Sequence, residues 1–304
     1  MGKRKQRPTR LSDPRLIPSW IGIVLFWLVG QLPWNMLLAT GRGVGHLGWH
    51  LVKKRRHIAL TNIRLCFPEL SREEQEALAK RSVISTGEAI LEMAGSFSNH
   101  RINLDKRLTI TGMEHIEKAQ AEGRGVLLLG MHFNSLDVGS RLLGYGVDFH
   151  GVYRPNDNPV IDRLINKGRG NYMVSSVKRS DIRQMVRLLK NGQILWYAPD
   201  QDYGIAHAVF VPFFGIPAAT ITATSRIARM GNAAVVPCAH YRLPGGQYEI
   251  EFGPALEGFP CGDDEQDTAR INRTIEHYVR KHPEQYLWVH KRFKHQPAGS
   301  SKLY

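Results

Sequence analysis

From about residue 107 onward, short apolar runs alternate with amphipathic stretches of helical period. Apolar or alternating runs of roughly four to eight residues read as strands, and apolar positions three and four apart read as helices. On that basis Arg107–Thr111, Gly125–Gly130, Asp148–Tyr153, Gln193–Ala198, Ala233–Tyr241 and Tyr248–Phe252 are expected to be strands. Met113–Glu122, a segment from about Ser135, Asn158–Gly170, Ser180–Asn191, Thr220–Gly231 and Asp264–Lys281 are expected to be helices. Such alternation predicts an α/β fold with a mostly parallel central sheet flanked by helices. Phe210–Pro217, rich in aromatics and proline, reads as an apolar loop.

The first hundred residues are patterned differently. Leu16–Ala39 carries no charge, and its dense part is Trp20–Gly30 followed by Pro33–Leu38. About 20 apolar residues span a bilayer. This stretch barely reaches that length and is interrupted by Pro18, Gln31, Pro33 and Asn35. It is expected to be an N-terminal membrane-associated helix, more readily one that enters a single leaflet than one that crosses. Residues 50–65 read as a basic amphipathic helix ended by Phe67-Pro68. Ser71-Arg-Glu-Glu74 is a capping box that opens a helix through roughly Gly95. Two regions are expected: 1–45, a basic start and apolar segment, and 46–304, an enzyme domain with a helical part and an α/β core.

Charge sharpens the membrane expectation. The chain of 304 residues has a formal net charge of +14. Residues 1–64 hold twelve Lys/Arg against one acid, Asp13. The basic residues cluster at Lys3–Arg15 and Lys53–Arg56, on either side of the apolar stretch. That arrangement suits an anionic lipid surface better than nucleic acid. RNA readers interleave aromatics with their basic residues, and these clusters do not. Three scattered cysteines, Cys66, Cys238 and Cys261, make no CxxC pair and imply a reducing compartment.

The candidate chemistry centres on His132-Phe-Asn-Ser-Leu-Asp137, which follows the strand Gly125–Gly130. A histidine and a carboxylate five apart do not share a helix face. They can meet if His132 lies in the turn and Asp137 in the first helical turn, with the carboxylate on one ring nitrogen and the other free to take a proton. With thirteen histidines, roughly one such spacing arises by chance. His100-Arg-Ile-Asn-Leu-Asp105 is one that no strand precedes. Ligands of open α/β sheets bind at the carboxyl ends of strands, which favours His132 over His100. The alternative is a core histidine that caps the helix.

Other blocks stand at strand ends. Tyr153 and Arg154 close one strand, in Val152-Tyr-Arg-Pro-Asn-Asp-Asn-Pro159. Arg154 suits a phosphate or a developing oxyanion, and equally an ordinary salt bridge. Asp200 and Asp202 follow another strand, where they suit acceptor hydroxyls or the capping of a turn. There is no GxSxG, Walker loop, strand-linked GxGxxG or HExxH. No covalent intermediate, metal or cofactor is therefore expected.

The blocks Asn62–Glu69, Gly130–Asp137, Val152–Pro159, Trp196–Tyr203 and Pro283–Lys294 resemble the lipid A biosynthesis lauroyl/palmitoleoyl acyltransferases of Gram-negative bacteria. The resemblance runs from about residue 16 to Tyr304. It implies an inner-membrane enzyme working at the cytoplasmic face. It implies acyl carrier protein bearing a fatty acyl thioester as donor, with laurate preferred. The implied acceptor is a lipid A precursor, lipid IVA bearing two Kdo sugars, acylated on the 3-hydroxyl of a hydroxyacyl chain. It also implies the His-x4-Asp pair His132 and Asp137 as catalytic. Arg154 and Asp200 fall in matching blocks. Glycerol-phosphate and lysophospholipid acyltransferases share that pair but carry a Pro-Glu-Gly-Thr-Arg-like block, where this chain has Ala198-Pro-Asp-Gln-Asp202.

Overall fold

The structure is a computed structural model that describes residues 11–99 and 101–304. His100 and the basic residues Lys3–Arg10 lie outside them. The uncharged N-terminal stretch is split. After a short turn of helix at Pro14–Leu16 come α1 (Ile17–Val29) and α2 (Trp34–Leu51), separated by the Gly30–Pro33 turn. Pro33 lacks the N–H that a continuous helix needs. Among the described residues no helix is long and apolar enough to cross a membrane. At 1.5 Å per residue α1 is only ~20 Å long. Residue 45 lies inside α2.

α2 then packs into the body, with Trp34, Leu37, Leu38 and Trp49 buried. α3 (Lys53–Cys66) is the basic amphipathic helix, and it buries Ile58, Ala59, Ile63 and Cys66. α4 (Arg72–Ser98) begins at the expected capping box: Ser71 Oγ accepts from the Glu74 amide and Glu74 Oε2 accepts from the Ser71 amide. α2 and α4 pack closely. A Cβ on Gly45 would stand 2.5 Å from the Ile84 Cα, and one on Gly41 2.6 Å from the Glu88 Cα.

The core is a seven-stranded sheet. In chain order come β1 (Leu108–Thr111), α5 (Met113–Ala121), β2 (Val126–Leu129), α6 (Leu136–Gly146), β3 (Phe149–Tyr153), α7 (Pro159–Arg169), β4 (Ser175–Lys178), α8 (Ile182–Lys190) and β5 (Ile194–Tyr197). A hairpin of β6 (Ala208–Phe213) and β7 (Ile216–Ile221) follows. Last come α9 (Ala223–Gly231), β8 (Ala234–Leu243), β9 (Gln247–Phe252) and α10 (Asp264–Lys281). The sheet order is β1-β9-β8-β2-β5-β3-β4, and only β8 and β9 pair antiparallel within it. The expected α/β architecture with a mostly parallel sheet is therefore present.

Two features differ from the sequence reading. β4, of sequence Ser-Ser-Val-Lys, is a short edge strand without an apolar signature. The expected apolar loop Phe210–Pro217 is instead a hairpin whose turn is Phe214-Gly215, both at positive φ.

Strand alternation divides the core into two layers. Leu128, Trp196, Val236, Cys238 and Ile250 face α2, α5 and α6. Leu127, Leu129, Leu195, Val235 and Tyr241 face α8, α9 and α10. Arg242, at the end of β8, clamps α4 with bidentate 2.6 Å bonds to Glu92 and a 2.8 Å bond to Glu88. Both glutamates are buried, and burial raises the Glu88 carboxyl.

Candidate active site

The register of the sheet assembles the site. Leu129 of β2 pairs with Tyr197 of β5, and Gly130 donates to the Tyr197 carbonyl at 2.9 Å. Three residues beyond each end stand His132 and Asp200. The His132 ring Nδ1 meets Asp200 Oδ1 at 2.6 Å, and the His132 backbone N–H donates to Asp200 Oδ2 at 2.8 Å. The Tyr286 hydroxyl donates to the same Oδ2 at 2.9 Å. The Asp200 side chain is fully buried. Burial alone would raise its carboxyl, but His132 beside it, with the bonds from its ring and amide and from Tyr286, holds it at about 2. An ionised carboxylate only accepts, so the Nδ1–H of His132 is the donor in this pair.

This corrects the expected pairing. Asp137 does sit in the first turn of α6, but its carboxylate is not the one on His132. Asp137 Oδ1 accepts from Arg169 Nε at 2.8 Å and Nη2 at 2.6 Å. Asp200 is also corrected: with both oxygens engaged and no exposed surface, it orients the histidine and offers nothing to an acceptor hydroxyl. The reason is geometric. A carboxylate at the end of a neighbouring in-register strand reaches the ring directly, whereas the α6 turn carries Asp137 outward to α7.

Asp202 is among the residues that line the cleft described below, but its carboxylate is engaged within the protein. Its side chain is 1% exposed and closes a second carboxylate–histidine pair, with His295 Nδ1 at 2.7 Å and the His295 amide at 2.9 Å. Its other bond is from the Gly204 amide at 2.9 Å. Tyr153 and Arg154 are placed as expected at the end of β3, where both line a cleft. Arg154 is mostly exposed and stands 3.7 Å from Asp157.

That cleft, about 540 Å³, lies at the carboxyl ends of β2, β5 and β3. It is lined by His132, with Arg154, Arg169 and Arg179 on its walls and Leu136, Val152 and Trp196 on its apolar side. The Trp196 ring lies against the backbone at Gly130, where a Cβ would come within 2.2 Å of it. The sequence reading missed Arg169, Arg179 and Tyr286. Arg169 ends a helix, and nothing local marks it as the partner of Asp137. Tyr286 lies in a block quoted for the family resemblance, which was a signal without a role.

Buried histidines surround the pair. Burial, with Arg242 and His132 nearby, pushes His240 down to about 3. Burial pushes His290 down to about 4, His132 and Arg292 adding to the effect and the carboxylates of Asp200 and Asp202 opposing it. Both are neutral in the folded protein but take up protons near pH 6.5 once unfolded. The unfolded state therefore binds more protons as pH falls from about 6.5 toward 4, and stability drops over that range. Thermal denaturation across pH 4–7 is expected to show a melting temperature that decreases steadily with acidification; a flat profile contradicts the neutral assignment of both rings.

The bacterial lipid A biosynthesis acyltransferase family matches residues 4–295. The chain is 40% identical to the lipid A biosynthesis lauroyltransferase of Escherichia coli (strain K12) over 300 residues, 97% of each chain. It is 35% identical to the palmitoleoyltransferase of that organism, covering 96% of this chain and 95% of that one. It is 29% identical to the myristoyltransferase, covering 96% and 91%. The histidine paired with a buried carboxylate stands at the strand ends beside an arginine-walled cleft, and the chain belongs to the bacterial lipid A biosynthesis acyltransferases.

Proposed function

We propose that the enzyme moves a fatty acyl group, laurate by preference, from acyl carrier protein to the 3-hydroxyl of a hydroxyacyl chain on lipid IVA bearing two Kdo sugars. The observation that carries this is the His132–Asp200 pair at a cleft walled by three arginines. His132 Nε2 takes the hydroxyl proton as the oxygen attacks the thioester carbonyl. The C–O bond forms, the C–S bond breaks, and the proton passes to the departing thiolate. Asp200 orients the ring and stabilises the imidazolium. Arg169, held by Asp137, faces the charge that develops on the carbonyl oxygen. Arg154 and Arg179 suit the acceptor's phosphates. Acyl carrier protein is acidic and suits the same basic surface. Mass spectrometry of the acceptor after incubation with lauroyl, myristoyl and palmitoleoyl carrier proteins tests the proposal. A mass gain of one lauroyl group supports it; absence of transfer from every donor overturns it.

The reading includes attachment to the inner membrane from the cytoplasmic side, through α1 and the outer face of α2. α1 buries none of its residues, and Ile21, Val24, Leu25, Trp27 and Leu28 are each at least half exposed. Met36, Leu47 and Leu51 continue this apolar surface on α2. A short helix with such a face lies in the interface rather than across it. The triple variant Ile21→Glu, Leu25→Glu, Leu28→Glu is expected to move most of the protein from the membrane to the soluble fraction without unfolding it. Unchanged flotation with liposomes assigns the attachment to another surface.

A further inference from the structure

The last segment of the chain is laid on the loop that carries His132. Phe133 and Tyr286 form an antiparallel bridge, the Asn134 amide donates to the Gln285 carbonyl at 2.7 Å, and the Leu287 amide donates to the His132 carbonyl at 3.0 Å. A turn follows, in which the His290 amide donates to the Leu287 carbonyl at 3.1 Å. It brings a second histidine to the site. His290 and His132 line one small void with Asp200 and Tyr286, and both line the cleft.

The His290 ring is fixed in place and in tautomer. Its backbone carbonyl accepts from Asn62 Nδ2 at 2.7 Å, and its ring Nε2 accepts from the Asp202 amide at 3.3 Å. That amide is itself braced, because the Asp202 carboxylate accepts from the His295 ring and amide and from the Gly204 amide. With Nε2 accepting, Nδ1 carries the hydrogen of the neutral ring. Nδ1 has no hydrogen-bond partner among the described residues and is not sealed from solvent. Nε2 is occupied, so this ring takes no proton from an acceptor hydroxyl. What it offers the cleft is one oriented N–H.

Neutrality matters beside His132. A second imidazolium would oppose the one that forms there during transfer, whereas a neutral imidazole donor polarises a carbonyl without adding charge. We propose that His290 is a second catalytic histidine, whose Nδ1–H binds the thioester carbonyl oxygen and shares with Arg169 the negative charge that develops on it. The inference rests on the acyl-transfer reading above and adds a donor to it. The proton count is unchanged: the hydroxyl proton goes to His132 and on to the departing thiolate, and His290 keeps its own. Asp202 and His295 are positioning residues, which act through the ring.

His290→Phe keeps the bulk of the ring and removes the donor. It is expected to lower kcat by roughly 10²–10³-fold, the cost of one lost oxyanion donor, with KM for lauroyl carrier protein unchanged. His290→Asn, whose side-chain amide supplies an N–H near the Nδ1 position, should recover part of that loss. His295→Ala should lose less than His290→Phe, and the double variant should be no worse than His290→Phe alone. Infrared difference spectra of the enzyme with lauroyl carrier protein, isotope-labelled at the thioester carbonyl and with no acceptor present, read the contact itself. The carbonyl band should move to lower wavenumber on binding, and His290→Phe should return it part-way, since Arg169 remains. The inference is overturned if His290→Phe keeps the wild-type kcat, if its loss lies in KM, or if the band is the same in both proteins. A wild-type protein that shifts the band in a His290-dependent way but transfers no acyl group overturns the acyl-transfer reading and leaves this contact standing.

Discussion

His132→Ala is expected to lower acyl transfer by roughly 10²–10⁴-fold, the contribution of a positioned general base, while the protein stays folded. His132 sits in a loop and is partly exposed, so truncating it leaves the buried core intact. The loss should fall on kcat, because the proton is taken only as the hydroxyl attacks. Steady-state transfer with a fixed acyl carrier thioester, alongside circular dichroism, measures both parts. His100→Ala should remain close to wild type. A His132→Ala enzyme within tenfold of wild type would remove the histidine from the mechanism.

Asp200→Asn should be nearly as damaging, and by a different physical route. The amide oxygen can keep the bonds from the His132 N–H and the Tyr286 hydroxyl. Its NH₂ then faces Nδ1, which must accept rather than donate. The ring proton moves to Nε2, and the base is lost without any change of shape. The corresponding substitution in the Ser-His-Asp template costs roughly 10⁴-fold. Asp137→Asn should also be impaired, but through Arg169. Asp137→Asn and Arg169→Ala should lose similar amounts, with the double variant no worse than either single one, the mark of a coupled pair. If Asp200→Asn is fully active and Asp137→Asn is dead, the pairing seen here is not the working one.

His132 was legible because a strand-ending apolar run followed by a helix start is a local pattern. Its partner was not. Asp137 is five residues away and Asp200 sixty-eight, and only the β2–β5 register decides between them. The same limit explains Asp202: its neighbours in sequence suggest an open turn, whereas His295, ninety-three residues on, closes it. Helices with local signals fell where expected. The capping box opened α4, and Asp263 begins α10, accepting from the Glu265 and Gln266 amides. β4 failed because four mostly polar edge residues carry no period. The hairpin Ala208–Ile221 failed because Pro212 and Pro217, which pair across it, usually argue against strands.

Asn62 has a consequence for how the chain is made. This fully buried residue of α3 donates to the Trp288 and His290 carbonyls at 2.6 and 2.7 Å, and its oxygen accepts from the Tyr304 hydroxyl. Its partners lie 226 to 242 residues downstream. Tyr286, which steadies Asp200, belongs to the same late segment. As the polypeptide leaves the ribosome, N-terminal part first, Asn62 therefore waits without its native partners until nearly all of the chain has emerged. At typical synthesis rates of roughly 5–20 residues per second, that wait lasts on the order of ten to fifty seconds. Throughout it α1, which buries none of its residues, and the exposed apolar face of α2 are already made, while the bond from Tyr286 to Asp200 is not.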